Sequence, residues 1–97
     1  MPQETNLTLP TLHMNGTGFD MLFSGYDQAE DKLNELTDAF GNIEFNARDY
    51  YVQGPDAYTK AREERQAIYA KLKDIKHYLA AHLISLNDQR PKPPQSA

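Results

Sequence analysis

The residues P55-D-A-Y-T-K-A-R-E-E-R-Q-A-I-Y-A-K-L-K-D-I-K-H-Y-L-A-A-H-L-I-S-L-N-D88 decide the fold. Tyr58, Ala61, Arg65, Ile68, Leu72, Ile75, Leu79, His82 and Leu86 recur at steps that alternate 3 and 4. That is the spacing of one face of an α-helix, sustained over about 34 residues or roughly 50 Å. Pro55 stands where proline is best tolerated, in the first turn of a helix, and Asp56 places negative charge near the positive helix end.

Upstream, Leu22, Tyr26, Ala29, Leu33, Leu36 and Phe40 fall at steps of 4, 3, 4, 3 and 4, with Phe19 extending the face backwards. This predicts a first helix of about 22 residues, roughly 33 Å long, ended by Gly41. Thr17 followed three residues later by Asp20 reads as a capping box that starts it, after an Asn15-Gly16 turn of the kind that favours positive backbone angles. Met21 and Phe23 lie off the main stripe and are expected to meet the N-terminal arm or a neighbouring subunit.

The expected class is therefore all-α: a two-helix antiparallel hairpin with an extended N-terminal arm, assembled as an oligomeric bundle. The arm covers 1–16, with Leu7, Leu9, Leu12 and Met14 interrupted by Pro10, a pattern for an irregular or edge segment. The hairpin domain covers 17–88, and a disordered Pro-rich tail covers 89–97. The second stripe outruns the first by about a dozen residues. The arm folding back on it, or helices bundling between subunits, would cover the overhang.

At 97 residues the chain is one small domain with a limited core, to which oligomerisation would add. The absence of cysteine suits a reducing cytoplasm, and no apolar run approaches the roughly 20 residues that span a bilayer. A cytoplasmic protein that does not engage membranes is expected. The net charge of −4 argues against sequence-independent nucleic-acid binding, which relies on excess positive charge. The charge is also divided. Asp20, Asp27, Glu30, Asp31, Glu35 and Asp38 face only Lys32 in the first helix, whereas Lys60, Arg62, Arg65, Lys71, Lys73 and Lys76 exceed Asp56, Glu63, Glu64, Asp74 and Asp88 in the second. Two helices with complementary surfaces, packed within a chain or across a dimer, account for this.

Arg65 and His82 interrupt the long stripe where it calls for apolar side chains. Arg65 is expected to lay its stem on the core and reach water or an acid of the first helix, or else to point into a cavity shared with the loop. His82 reads as a satisfied interface histidine. His77 and His82 are five apart and do not share a face, so no metal site is expected.

The loop Asn42–Gly54 gathers the candidate ligand-binding residues. Ile43 and Phe45 would tuck beneath it, and Tyr50-Tyr51-Val52 would give it an adhesive surface. Arg48, Asp49, Tyr50 and Tyr51 precede the start of the second helix, and Tyr58, Arg62 and Arg65 line one side of that start. Arginines can grip phosphates, tyrosines can stack on a base, and Asp49 can orient an arginine or accept from a ribose. The competing reading is a structured loop in which Arg48 pairs with Asp49 and the tyrosines pack on the second helix. His13, Asn15 and Thr17 lie about one helix length away and would complete a neighbour's pocket in an antiparallel oligomer. There is no order of nucleophile and base, and no Walker-type glycine loop, so neither catalysis nor a cofactor is expected.

In the order of its motifs, H-M-N-G-T at 13–17 before one helix and A-R-D-Y-Y-V-Q-G-P-D-A-Y at 47–58 before another, the chain over residues 11–88 resembles small helical-hairpin proteins encoded by bacteriophages. Its architecture is also similar to phage proteins that oligomerise and sequester cyclic-nucleotide signals of bacterial immunity. That resemblance implies a non-enzymatic accessory protein, its partners further copies of itself and a nucleotide-like ligand, and it transfers no specific site. The other reading is a structural or adaptor protein whose helices dock a host or phage protein.

Overall fold

The computed structural model describes residues 7–90, all of whose regular structure is helical. Helix α1 spans Phe19–Gly41, 23 residues, and α2 spans Ala57–Gln89, 33 residues; single 3₁₀ turns at Ala47–Asp49 and Tyr51–Gln53 lie between them. Residues 1–6, expected to be mobile, and most of the Pro-rich tail lie outside the described residues. No described helix is long and apolar enough to cross a membrane.

The two long helices pack against each other along their apolar stripes. Tyr26 stacks on His82 with ring centroids 4.6 Å apart, Lys76 pairs with Glu30 at 3.9 Å and donates to Asn34 Oδ1 at 3.1 Å, and Phe40 meets Tyr69 edge-on at 5.0 Å. Leu33, Leu79 and Leu86 are the buried aliphatic residues of this seam. Fully burying one such side chain stabilises a fold by about 1.5–3 kcal/mol, so these three positions anchor the pair. His82 is buried with them. Its Nδ1 lies 2.8 Å from the carbonyl oxygen of Tyr78, which can only accept, so Nδ1 carries the proton; the ring is held between Tyr26 and Tyr78.

Several local expectations need correction. The backbone of Gly18 forms the N-cap of α1 with no side-chain cap, which leaves Thr17 outside the helix and replaces the expected capping box. Asn15 and Gly16 do not adopt positive φ. Gly16 N–H closes a turn by donating to His13 O at 3.1 Å, and a Cβ on Gly16 would stand 2.8 Å from the His13 ring; the glycine provides clearance rather than an unusual angle. Pro55 sits in the turn before α2, where Ala57 N–H donates to Gly54 O, and not in the helix's first turn. Gly54 does hold a left-handed φ of 137°, a conformation other residues rarely adopt.

The arm folds back onto α2, as one of the two expectations had it, and the loop covers the other end of that helix. The loop's aromatic residues lie on its first turns, through Tyr58, while the arm meets its last. Gln89 Nε2 donates to Pro10 O at 3.0 Å and Gln89 Oε1 accepts from Leu12 N–H at 2.8 Å, two bonds that seat the arm on the end of α2. Phe23 stacks on Phe19 with ring centroids 5.1 Å apart, and Met21 stays exposed.

Candidate functional site

The loop closes around Phe45. Its ring lies 5.4 Å from Tyr50 and 5.3 Å from Tyr58, and Tyr50 and Tyr58 are 6.2 Å apart. The two 3₁₀ turns, linked by Tyr50 N–H to Ala47 O at 2.9 Å and Gln53 N–H to Tyr50 O at 2.9 Å, fold the chain tightly enough to bring Tyr50 back onto Tyr58. Ile43, expected beneath the loop, is exposed.

Arg65 occupies the space between this cluster and the end of α1. Its guanidinium carbon lies 4.9 Å from the Phe45 centroid, 5.0 Å from Phe40 and 5.4 Å from Tyr69, and Nη2 donates to Tyr69 Oη at 3.3 Å. It therefore reaches no acid of the first helix: among the described residues no ion pair involves Arg65. A weakly hydrated planar cation set against three rings is stabilised by their negative faces, which explains an arginine in an apolar stripe without invoking a carboxylate.

The remaining candidates divide. Arg62 lies 5.9 Å from the Tyr58 ring and is exposed. Arg48, Asp49 and Tyr51 are exposed on the 3₁₀ turns. The local Arg48–Asp49 pairing is absent, since neither side chain forms an ion pair or hydrogen bond among the described residues. Of the ten candidate residues, only Tyr50 borders the cleft of about 510 Å³ at the start of α2, whose charged lining is Asp56, Lys60 and Glu64. Two carboxylates against one ammonium do not favour an anion.

His13 and Thr17 border a separate hollow of about 310 Å³ with Leu12, Gly18, Phe19 and Gln89; Asn15 is exposed beside it. Arg90, assigned by sequence to the tail, lies over Phe19 at 5.0 Å and donates to Asn87 Oδ1 at 2.7 Å. Nothing in its local sequence, a basic residue before Pro91, announces that contact. Phe45, Phe40 and Tyr69 also went unassigned to the site, although an apolar loop residue beside an arginine-interrupted stripe was the available sign. No group of three or more metal-ligating side chains converges among the described residues.

Comparison with protein families, curated proteins and solved structures finds no match to this chain.

Proposed function

We propose that the chain is a non-enzymatic helical adaptor: an antiparallel hairpin that assembles with further copies of itself in the cytoplasm and presents its loop end to a protein partner. The observation that carries this is the apolar surface left open along the stripes. Leu36 is 53% exposed, Ile68 40%, Ile75 47% and Tyr78 44%, although each lies on or beside a helical face that the spacing marks as buried. Contiguous exposed apolar patches on small proteins mark interaction surfaces. The antiparallel arrangement is supported by the contacts Tyr26–His82, Glu30–Lys76 and Phe40–Tyr69, in which numbers fall on α2 as they rise on α1. The resemblance to phage-encoded hairpins supports an accessory role in infection, with a host or virion protein as the partner. Light scattering tests the assembly: Ile75→Glu and Leu36→Glu should reduce an oligomer to monomers while Arg48→Ala leaves it intact, and a wild-type monomer would defeat the proposal.

A second reading, capture of a nucleotide-like anion, is favoured by Arg62 standing exposed beside the Tyr58 ring and by Arg48 and Tyr51 standing exposed on the 3₁₀ turns that flank Tyr50. Calorimetry with cyclic nucleotides and ADP-ribose compounds decides it. Binding that disappears in Arg48→Ala and Arg62→Ala would support capture, and absence of heat with every compound would refute it.

A further inference from the structure

Of the chain's asparagines, only Asn15 is followed by a glycine. An asparagine carboxamide lies within reach of the next residue's backbone nitrogen, and a bond between them closes a five-membered ring. Held in one chain, the two groups meet at high effective concentration. The reaction is ordinarily hindered by the side chain of the following residue, which crowds that nitrogen, or by a fold that locks the nitrogen away. Neither obstacle stands at Asn15.

Glycine brings no side chain, and the turn itself requires that absence. The His13 ring fills the space: its Nε2 would stand 2.8 Å from a Cβ on Gly16, its Cδ2 3.1 Å and its Cε1 3.2 Å. Asn15 and Gly16 are both exposed, as are His13, Met14 and Thr17 around them. The Gly16 nitrogen is engaged only through its N–H, which donates to His13 O at 3.1 Å, and among the described residues no other hydrogen bond holds the turn. A single exposed turn opens at little cost, which frees the nitrogen.

We propose that Asn15-Gly16 is a site of self-modification that alters the joint between the arm and α1. In the open turn the Gly16 nitrogen gives its proton to solvent and bonds to Asn15 Cγ; the carboxamide C–N bond breaks, and its nitrogen leaves with an added proton as ammonia. The succinimide that results then takes up one water. Opening at one carbonyl gives aspartate, and opening at the other gives isoaspartate, whose backbone runs through Cβ and Cγ and is one atom longer. The sum is carboxamide plus water to carboxylate plus ammonium, with no oxidant or reductant.

The consequence falls on the arm. In the imide the Gly16 nitrogen has no hydrogen, so the bond to His13 O is lost; in isoaspartate the ring that this bond would close is a backbone atom larger. The seat of the arm on α2 begins at the residue before His13, where Leu12 N–H donates to Gln89 Oε1 at 2.8 Å and Gln89 Nε2 donates to Pro10 O at 3.0 Å. A reshaped joint loosens that seat.

The full-length chain is incubated for days at neutral pH and resolved by anion exchange, since the product adds a carboxylate to a net charge of −4. Peptide mapping of the new peak should place the amide-to-acid mass gain at Asn15, mostly as isoaspartate, and Asn15→Gln should lose the peak. In the modified fraction the Leu12 amide should exchange hydrogen roughly fivefold faster, the equivalent of about one hydrogen bond lost. Asn15 intact in the native chain, with the urea-unfolded chain modified there, would overturn the proposal by showing that the fold locks the nitrogen. A mass gain at other asparagines alone would overturn it as well. Unchanged exchange at Leu12 in the modified fraction would overturn the coupling to the arm.

Discussion

Replacing Arg65 with Met separates a packing role from a ligand-gripping one. Methionine keeps an unbranched apolar stem of similar reach and removes the guanidinium that lies 4.9–5.4 Å from the Phe45, Phe40 and Tyr69 rings. A cation over one ring contributes roughly 0.5–1 kcal/mol when exposed and about 2 kcal/mol when desolvated. One cation shared among three rings does not gain three times that. Arg65 is half-buried, and its bond to Tyr69 Oη is long at 3.3 Å, so the combined loss should be about 2 kcal/mol. For a domain of this size that corresponds to a fall in Tm on the order of 10 °C. Urea unfolding followed by circular dichroism, at matched protein concentration because assembly raises apparent stability, measures it. The midpoint should drop with the slope unchanged, and Arg65→Lys should fall between, since it keeps charge but loses the plane. A Met variant within about 0.5 kcal/mol of wild type would refute the view that the aromatic enclosure uses this charge to hold the loop to the helices.

Leu86→Ala should cost about 3 kcal/mol, because the side chain is fully buried, whereas Ile84→Ala, two residues away and mostly exposed, should stay within about 0.5 kcal/mol; thermal unfolding compares them. Gln89→Leu should free the arm, seen as faster hydrogen exchange at the Leu12 amide with little change at amides in the middle of α1. Gly54→Ala should destabilise by about 1–3 kcal/mol, because its φ of 137° strains any residue with a Cβ even though the space beside it is open.

The helices were legible because their signal is long and periodic: 3-and-4 spacing held over Leu22–Phe40 and Tyr58–Leu86 matches the period of a helix and conflicts with the period of 2 that a strand requires. Which stripe residues become buried was not legible. Periodicity marks a face, but two helices touch along a line, so Leu33 and Leu79 are covered while Leu36 and Ile75, one turn away, stay open. The loop was read for composition, and composition alone does not say that Arg65 would prefer rings to carboxylates. That preference arises only when the 3₁₀ turns place Phe45 beside Phe40 and Tyr69. Likewise, Asn15-Gly16 signals a turn that does form, closed by Gly16 N–H on His13 O but without the positive φ, and Thr17 signals a cap whose place the backbone of Gly18 takes. Of the candidate site, Tyr50, Tyr58, Arg62 and Arg65 do gather around one cluster; His13 and Thr17 border a separate hollow by the arm.

Native mass spectrometry of the intact chain tests the central claim most directly, since it reports subunit number and retained small molecules together. Self-assembly through the apolar side predicts a species of twice 11.1 kDa without added mass, lost in Ile75→Glu. A species of 11.1 kDa, or one carrying a stoichiometric adduct of nucleotide size that disappears in Arg48→Ala, would contradict it.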